Sequence, residues 1–141
     1  MEVVWYTNGV ERTDIISSES LTPEELRYLA GFFDGEGSVG LYYHRAQNQW
    51  KAKISISQNH SKHALRLFTR WGTVFAGNVF KRKCGDLELT IWKKASLVAF
   101  IRSVGPYCFG KKQQMIVLEN WLQYQMYTHR TAQILKALKR S

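Results

Sequence analysis

Apolar residues are densest between positions 26 and 33, where only Arg27 is polar. A run of that kind covers the whole circumference of a helix, so it predicts a helix that is buried on two sides. Residues 22–25, Thr-Pro-Glu-Glu, precede it in the order of a capping box with proline at the first helical position. The helix is predicted to end at residues 35–37, Gly-Glu-Gly, where glycine permits a left-handed closing residue.

The two sides of this predicted helix differ in residue size. Leu26, Leu29, Ala30 and Phe33 recur at helical spacing and predict the side that faces the chain's own core. The other side carries Gly31 and Gly35, which cost helix stability but let a second backbone approach closely. That backbone belongs either to another helix of the same fold or to a partner subunit. The predicted interface residues are Tyr28, Gly31, Phe32, Asp34 and Gly35.

After Gly37 the apolar period changes from helical to two, which predicts a β-hairpin. Its predicted core face contains Val39, Leu41, Tyr43, Trp50, Ala52, Ile54 and Ile56. The opposite face is basic and rich in hydrogen-bonding groups, and such a ribbon can lie in the DNA major groove. A solvated outer face is the alternative, but it would usually mix Glu among the lysines. The outward residues are Ser38, Gly40, Tyr42, His44, Gln49, Lys51, Lys53, Ser55 and Ser57.

The remaining pattern predicts a helix over residues 61–76, a second hairpin over 78–91, and helices over 96–104 and 111–127. Leu65, Phe68 and Trp71 mark the inner face of the first of these helices. Met115, Leu118, Leu122 and Met126 mark that of the last. A short basic amphipathic tail follows at residues 130–140. The order predicts an α+β fold in which one antiparallel sheet has helices on one face and an open basic face on the other.

Charge is distributed unevenly along the 141 residues. The formal net charge is +9, and eight of the eleven acids lie in the first 36 residues. The rest of the chain has three acids against eighteen Lys and Arg, and none between Glu36 and Asp86. Such a one-sided field suits a polyanion such as nucleic acid, although a generic basic surface is the simpler reading.

The length fits one domain with a real core, which we assign to residues 21–141, and residues 1–20 form an N-terminal extension without an assigned function. Cys84 and Cys108 are isolated and lack zinc-site spacing, so they are expected to be reduced packing residues. No apolar stretch has membrane-spanning length and the N-terminus lacks the pattern of a signal peptide. A soluble, intracellular protein that binds no membrane is therefore expected.

Acids at the end of the first helix are poorly placed for structure. The C-terminus is the negative end of the helix dipole, so Asp34 and Glu36 need another partner, and a divalent cation fits. Residues 29–37, LAGFFDGEG, resemble the signature of the LAGLIDADG homing endonucleases, with glutamate at the eighth position where aspartate is commoner. The resemblance extends over residues 21–128, because the strands, the Ser57-Gln58-Asn59 turn and the Pro106–Gln114 stretch fall in the family's order.

The resemblance implies the αββαββα fold, with a DNA-binding saddle on the open face of the sheet. It also implies a metal site with Glu36 as a ligand and the Gly35 carbonyl as a second, holding Mg²⁺, Mn²⁺ or, in a non-cleaving complex, Ca²⁺. Asp34 is expected to be a structural, hydrogen-bonding acid at the helix interface. Gln58 then orients the attacking water, and Lys111 stabilises developing negative charge or holds the water network. Lys62 is the second basic residue. The plainer reading of the two lysines is solvated loop residues. The resemblance also implies that Phe80, Arg82, Asp86 and Glu88 of the second hairpin face DNA.

The function so implied is site-specific cleavage of double-stranded DNA, of the intron- or intein-homing type. Only one copy of the motif is present, so a homodimer on a long pseudo-palindromic target is expected. Two alternatives stay within the fold: a maturase that assists intron splicing and a DNA-binding regulator. Neither requires an acid at Glu36. An RNA-binding module with exposed aromatics is a third, and the Lys and Ser character of the ribbon fits groove reading better.

Overall fold

A four-stranded antiparallel sheet with helices on one face forms the centre of the protein, as seen in a computed structural model that describes residues 1–140. The strands are β1 (Glu2–Thr7), β2 (Val10–Ile15), β3 (Gly37–His44), β4 (Gln49–Gln58), β5 (Asn78–Lys81) and β6 (Leu87–Ile91). The helices are α1 (Pro23–Glu36), α2 (Lys62–Phe75), α3 (Lys94–Val104), α4 (Lys112–Tyr124) and α5 (Thr128–Arg140). The main sheet has the order β3-β4-β6-β5. From α1 to α3 the elements follow αββαββα, so the predicted fold class is confirmed.

The start of α1 has the predicted capping box. Thr22 Oγ1 accepts a hydrogen bond from the Glu25 backbone N–H at 3.1 Å, and Glu25 Oε1 accepts one from the Thr22 N–H at 3.2 Å. This exchange satisfies two backbone donors that the first turn leaves free. Leu29, Ala30 and Phe33 are fully buried, so α1 faces the core where predicted.

The end of α1 corrects the prediction of a left-handed glycine. Gly37 has φ −88° and ψ 162°, which is extended backbone, and it already pairs with Ile56 in the sheet. Glycine is needed there for space, because a Cβ at Gly37 would overlap the Phe33 ring. The helix therefore passes directly into β3, and the residues at its end are tied to the sheet.

The core face of the sheet packs against the helices as the period-two pattern predicted. Val39, Leu41, Ala52, Ile54 and Ile56 are all at most 5% exposed, and Trp50 packs partly buried against the core. The prediction is wrong for Tyr43, which is 46% exposed because this end of the hairpin extends past the pairing with β6. The second hairpin adds Leu87, Leu89 and Ile91 to the same face, and α1, α2 and α3 cover it. Alternate residues of β3 and β4 therefore point away from the helices.

Residues 2–15 form a second, two-stranded sheet that the hydrophobic pattern left unassigned. Asn8 and Gly9 both have positive φ, 51° and 78°, as a two-residue type I′ hairpin requires. Val3 and Trp5 of β1 are buried and belong to the hydrophobic core. The Asn-Gly pair between alternating residues was the local signal for this hairpin, and the hairpin packs on α3 and α4.

Two inner-face predictions for the helices are wrong. Leu65 is 41% exposed, because the buried stripe of α2 contains Ala64, Phe68 and Trp71 instead. Met126 is 57% exposed, since α4 ends at Tyr124 and the next residue, Gln125, is left-handed. Among the helices of residues 1–140, none has the length and apolar character needed to cross a bilayer.

Candidate functional site

Glu36 is the last residue of α1, and its side chain is exposed. Within residues 1–140 its carboxylate has no hydrogen-bond or ion-pair partner. The last turn of α1 contains no basic residue, so nothing in the helix offsets a negative charge at the negative end of its dipole. This carboxylate is therefore free to bind a group from outside the chain.

Asp34, two residues earlier, is used within the chain. Its Oδ2 accepts a hydrogen bond from the Phe109 backbone N–H at 2.8 Å, and its Oδ1 accepts one from the Lys111 backbone N–H at 3.0 Å. These charge-assisted bonds fix the segment between α3 and α4 against the end of α1. The structural role expected for Asp34 thus has intramolecular partners, while its position in a dimer interface stays a prediction.

Lys111 lies beside the end of α1. Its Nζ donates a hydrogen bond to the Asp34 backbone carbonyl at 3.1 Å, and the residue is partly buried. That carbonyl belongs to the last turn of the helix, whose acceptors have no partner inside the helix. Lys111 therefore brings a positive charge to the chain segment that contains Glu36.

Cys108 is buried close to Asp34 and Lys111. Its thiol approaches the Ala30 carbonyl at 3.8 Å. Burial, followed by the neighbouring Asp34 carboxylate, raises the pKa of Cys108 to about 12. The thiol is therefore neutral and packs as a small apolar group, as the sequence predicted. The same prediction is wrong for Cys84, which is exposed in the turn between β5 and β6.

Gln58 and Lys62 lie at the same end of the sheet as Glu36. Gly37, the first residue of β3, pairs with Ile56, and Gln58 continues β4 past that pair. Gln58 is half-buried, and its Oε1 accepts a hydrogen bond from the Asn59 N–H at 2.9 Å. Lys62 begins α2 and is exposed, without a side-chain partner in the described part of the chain. Their catalytic roles remain predictions.

The outer face of the sheet brings the predicted nucleic-acid-binding residues into aligned rows. Opposite residues of β3 and β4 are Ser38 and Ser55, Gly40 and Lys53, Tyr42 and Lys51, and His44 and Gln49. Ser57, Glu88 and Phe80 form one row across three strands, and Ser55, Thr90 and Asn78 form another. Asn78 and Thr90 were not anticipated, although β6 alternates in the same way.

Exposure varies across this face. Tyr42, His44, Gln49, Phe80 and Arg82 are exposed, whereas Ser55 is only 7% exposed. Gly40 is buried because the Tyr42 ring lies over it, where any side chain would clash.

The second hairpin contributes fewer free charges than its sequence suggests. Glu88 accepts a hydrogen bond from the Ser57 hydroxyl at 3.3 Å, which occupies one of the acids on the outer face. Arg82 and Asp86 lie in the hairpin turn, where the Arg82 N–H donates to the Asp86 carbonyl at 2.7 Å. The side chain of Arg82 is left exposed beyond the strand ends.

Lys53 is held between two aromatic rings. Its Nζ lies 5.3 Å from the Tyr42 ring centre and 5.2 Å from that of Trp92. Trp92 follows β6 directly and is 40% exposed. The sequence reasoning missed Trp92, whose only signal was an aromatic residue just beyond an alternating strand. Two cation–π contacts favour this orientation of the lysine on the outer face.

The glycine side of α1 is open within a single chain. A Cβ built at Gly31 or Gly35 would meet no atom within 4 Å. Tyr28 is 51% exposed on the same helix, and Phe32 is partly buried against the core. Neither glycine is required by contacts inside this chain. Close approach of a second backbone at these glycines stays a prediction.

Oxygen ligands for a divalent cation are few in one chain. Residues 1–140 contain no cluster of three or more His, Cys, Asp or Glu side chains. The Glu36 carboxylate and the Gly35 carbonyl are oxygen donors of the kind that Mg²⁺ and Ca²⁺ prefer. Magnesium usually takes one or two carboxylates and completes its shell with water and phosphate. These residues therefore fit such an ion at a shared or substrate-completed site.

Comparison with protein-family models gives no match, and comparison with curated proteins gives none either. The solved homing endonuclease I-CvuI, in complex with an uncleaved DNA target, matches with a TM-score of 0.70 and 18% identity over 82% of each chain. The homing endonuclease I-TnaI matches with a TM-score of 0.57 and 24% identity over 74% of this chain and 73% of that one. The LAGLIDADG meganuclease I-AabMI, bound to uncleaved DNA, matches with a TM-score of 0.59 and 17% identity over 82% of this chain and 44% of its own. The chain has the fold of the LAGLIDADG homing endonucleases.

Proposed function

We propose that the protein is a site-specific endonuclease of the intron- or intein-homing type, which hydrolyses double-stranded DNA with a divalent metal ion. The observation that carries this proposal is the Glu36 carboxylate. It is exposed and unpartnered at the end of α1, beside a lysine and at the edge of a basic sheet. An acid in that position adds repulsion for DNA, so binding alone gives it no use. A carboxylate at this position is useful, however, for holding a cation against a phosphodiester.

The proposed site uses Glu36 and the Gly35 carbonyl to hold Mg²⁺, or Mn²⁺ in its place. The ion, when bound, supplies charge neutralisation and makes a bound water more acidic. Lys111 contributes positive charge that stabilises the developing negative charge, and its bond to the Asp34 carbonyl holds it at the end of α1. Gln58 orients the attacking water without taking its proton, and Lys62 is the second basic residue at this end of the sheet.

Binding is proposed to use the outer face of the sheet in the DNA major groove. Lys51, Lys53 and Arg82 contact phosphates or base edges, and Tyr42, His44, Gln49 and Phe80 extend the reading surface. Ser38, Gly40, Ser55, Ser57, Asp86 and Glu88 complete it. Because Gly40 and Ser55 are covered in the free chain, they are expected to act through water or after neighbouring side chains move.

The active form is proposed to be a homodimer. One chain offers one carboxylate at the end of α1, whereas cutting both strands needs a site for each. Packing the open Gly31 and Gly35 sides of two α1 helices across a two-fold axis would bring two copies of Glu36 together. Tyr28, Phe32, Asp34 and Gly35 would then line the contact, and the target would be pseudo-palindromic.

The test is a selection for cleaved sites in a library of plasmids with randomised inserts. We expect linear products that share one long, nearly palindromic sequence in Mg²⁺, and none in EDTA. A matched Glu36→Gln protein controls for a contaminating nuclease. Sequence-selective DNA binding with no cleavage in Mg²⁺ or Mn²⁺ would refute the endonuclease and favour a regulator. Selective binding of intron RNA would favour a maturase.

A further inference from the structure

The N-terminal hairpin leaves a cleft beside the start of α3. Trp5 and Thr7 of β1 are buried, while every residue of β2 is exposed. Arg12 pairs with Trp5 and therefore shares its face, so β2 extends that face beyond the core. The space between β2 and the first turn of α3 has a volume of about 800 Å³. It is open to solvent and lies between the hairpin, which precedes the resembling region 21–128, and residues 93–96 within that region.

Cations outnumber acids in this cleft. Arg12, Lys93 and Lys94 line it together with a single carboxylate, that of Asp14. The Asp14 carboxylate accepts a hydrogen bond from the Trp5 indole at 2.7 Å. None of the three cations has an ion-pair partner within residues 1–140. The pKa of Lys94 is lowered by partial desolvation and then by the Arg12 charge, so these cations repel one another.

The first turn of α3 adds polar groups without partners. Lys93 is the N-cap residue, and its side chain makes no capping hydrogen bond, so the first N–H groups of α3 lack a side-chain acceptor. Ser96 lines the same cleft and is fully buried, yet its hydroxyl has no hydrogen-bond partner in the described residues. A helix N-terminus, an unsatisfied hydroxyl and three cations together favour an oxyanion.

The cleft is continuous with the outer face of the sheet. Lys93 and Lys94 also line a neighbouring groove of about 500 Å³, which contains Lys51 and Trp92. Trp92 in turn contacts Lys53. A row of cations therefore leads from the middle of β4, past the end of β6, to Arg12 on the hairpin. Several cations in a row suit a polymer of phosphates better than a single free anion.

We propose that the cleft between β2 and the start of α3 binds a phosphodiester group of the DNA backbone, next to the contacts made by the sheet. DNA as the ligand rests on the proposed function. Residues 1–20 would then be part of the DNA interface. Arg12, Lys93 and Lys94 would be phosphate contacts that carry no sequence preference of their own.

The experiment measures DNA affinity as a function of salt in Ca²⁺, for non-specific duplex and for any selected target. Arg12→Ala and Lys93→Ala are expected to weaken both complexes several-fold and to reduce the salt slope by about 0.9 for each lost contact. Arg12→Lys should restore the slope. Arg66→Ala removes one charge from the exposed side of α2, on the helix side of the sheet, and should leave the slope unchanged.

The outcomes separate this proposal from the proposed function. If wild-type protein binds DNA and Lys51→Ala lowers the slope, but Arg12→Ala and Lys93→Ala do not, the phosphate site is refuted and DNA binding stands. The site is refuted as well if Arg66→Ala lowers the slope equally, because net charge would then explain the effect. Because Arg12 is exposed, Arg12→Ala is expected to keep the fold. An unaltered circular dichroism spectrum would verify this.

Discussion

Asp34 and Lys111 are joined by two hydrogen bonds that run in opposite senses. Asp34 Oδ1 accepts from the Lys111 backbone N–H at 3.0 Å, and Lys111 Nζ donates to the Asp34 backbone carbonyl at 3.1 Å. The Asp34 carboxylate thus fixes the backbone at Lys111, and the Lys111 side chain in turn contacts the end of α1. Catalytic geometry at Glu36 is therefore expected to depend on a contact across 77 residues of sequence.

Removing the Lys111 ammonium should lower the cleavage rate while leaving the fold intact. Lys111→Met is expected to lower the single-turnover cleavage rate about 10²-fold or more, because charge stabilisation of this kind has that magnitude. DNA affinity should change only a few-fold. Lys112→Met is the matched control, since Lys112 is exposed and has no side-chain partner in the described chain. Equal rates for the two variants would remove Lys111 from the site.

Asp34→Asn tests the other half of the contact. An amide keeps one acceptor oxygen for two backbone N–H donors, so one charge-assisted bond is lost. Chemical denaturation should show a fall of about 1.5–3 kcal/mol in the free energy of unfolding. Asp86→Asn is the control, because the Asp86 carboxylate accepts no hydrogen bond within residues 1–140. An unchanged free energy of unfolding for Asp34→Asn would mean that other contacts hold the segment between α3 and α4.

Gly31→Ala is expected to act oppositely on the subunit and on the assembly. A Cβ at Gly31 meets no atom within 4 Å in one chain, so the helix should gain about 1 kcal/mol of intrinsic stability. In a homodimer with closely packed α1 helices the same methyl should weaken association, and Gly31→Leu should do so more strongly. Sedimentation velocity measures this directly. Thr69→Leu, on the exposed side of α2, controls for added bulk. Undisturbed dimers of Gly31→Leu would contradict an interface on this side of α1.

Trp92 should influence DNA affinity without contributing charge. Trp92→Leu removes one of the two rings that hold Lys53, so ordering the lysine on binding becomes costlier. At about 0.5–1 kcal/mol for an exposed cation–π contact, affinity should fall about two- to fivefold. The salt slope should stay the same, whereas Lys53→Ala should lower it by about 0.9. Trp92→Phe keeps a ring and is the control. Tighter binding by Trp92→Leu would show that the rings compete with DNA.

The sequence was informative wherever a structure depends on neighbours a few residues away. The capping box at Thr22 and Glu25 and the alternation of β3 and β4 are local, and both are found as predicted. The hairpin at Asn8-Gly9 was equally local, and its turn signal was overlooked. The reason for glycine at position 37 could not be predicted locally. Gly37 leaves room for the Phe33 ring and does not have a positive φ.

The partners within the candidate site could not be predicted, since they come from distant segments. Phe109 and Lys111 reach Asp34 through tertiary packing, and Trp92 meets Lys53 only because β6 ends beside β4. The cationic cleft combines Arg12 with Lys93, about 80 residues later in the chain. No periodicity or motif links such residues.

Glu36→Gln provides the most direct test of the central claim, that the carboxylate at the end of α1 serves cleavage. The measurement compares wild type and Glu36→Gln on one selected target, with affinity determined in Ca²⁺ and double-strand cleavage determined in Mg²⁺. The account predicts affinity within a few-fold of wild type and no detectable linear product, because a metal ligand is lost while the fold is kept. Cleavage by Glu36→Gln at the wild-type rate would contradict it.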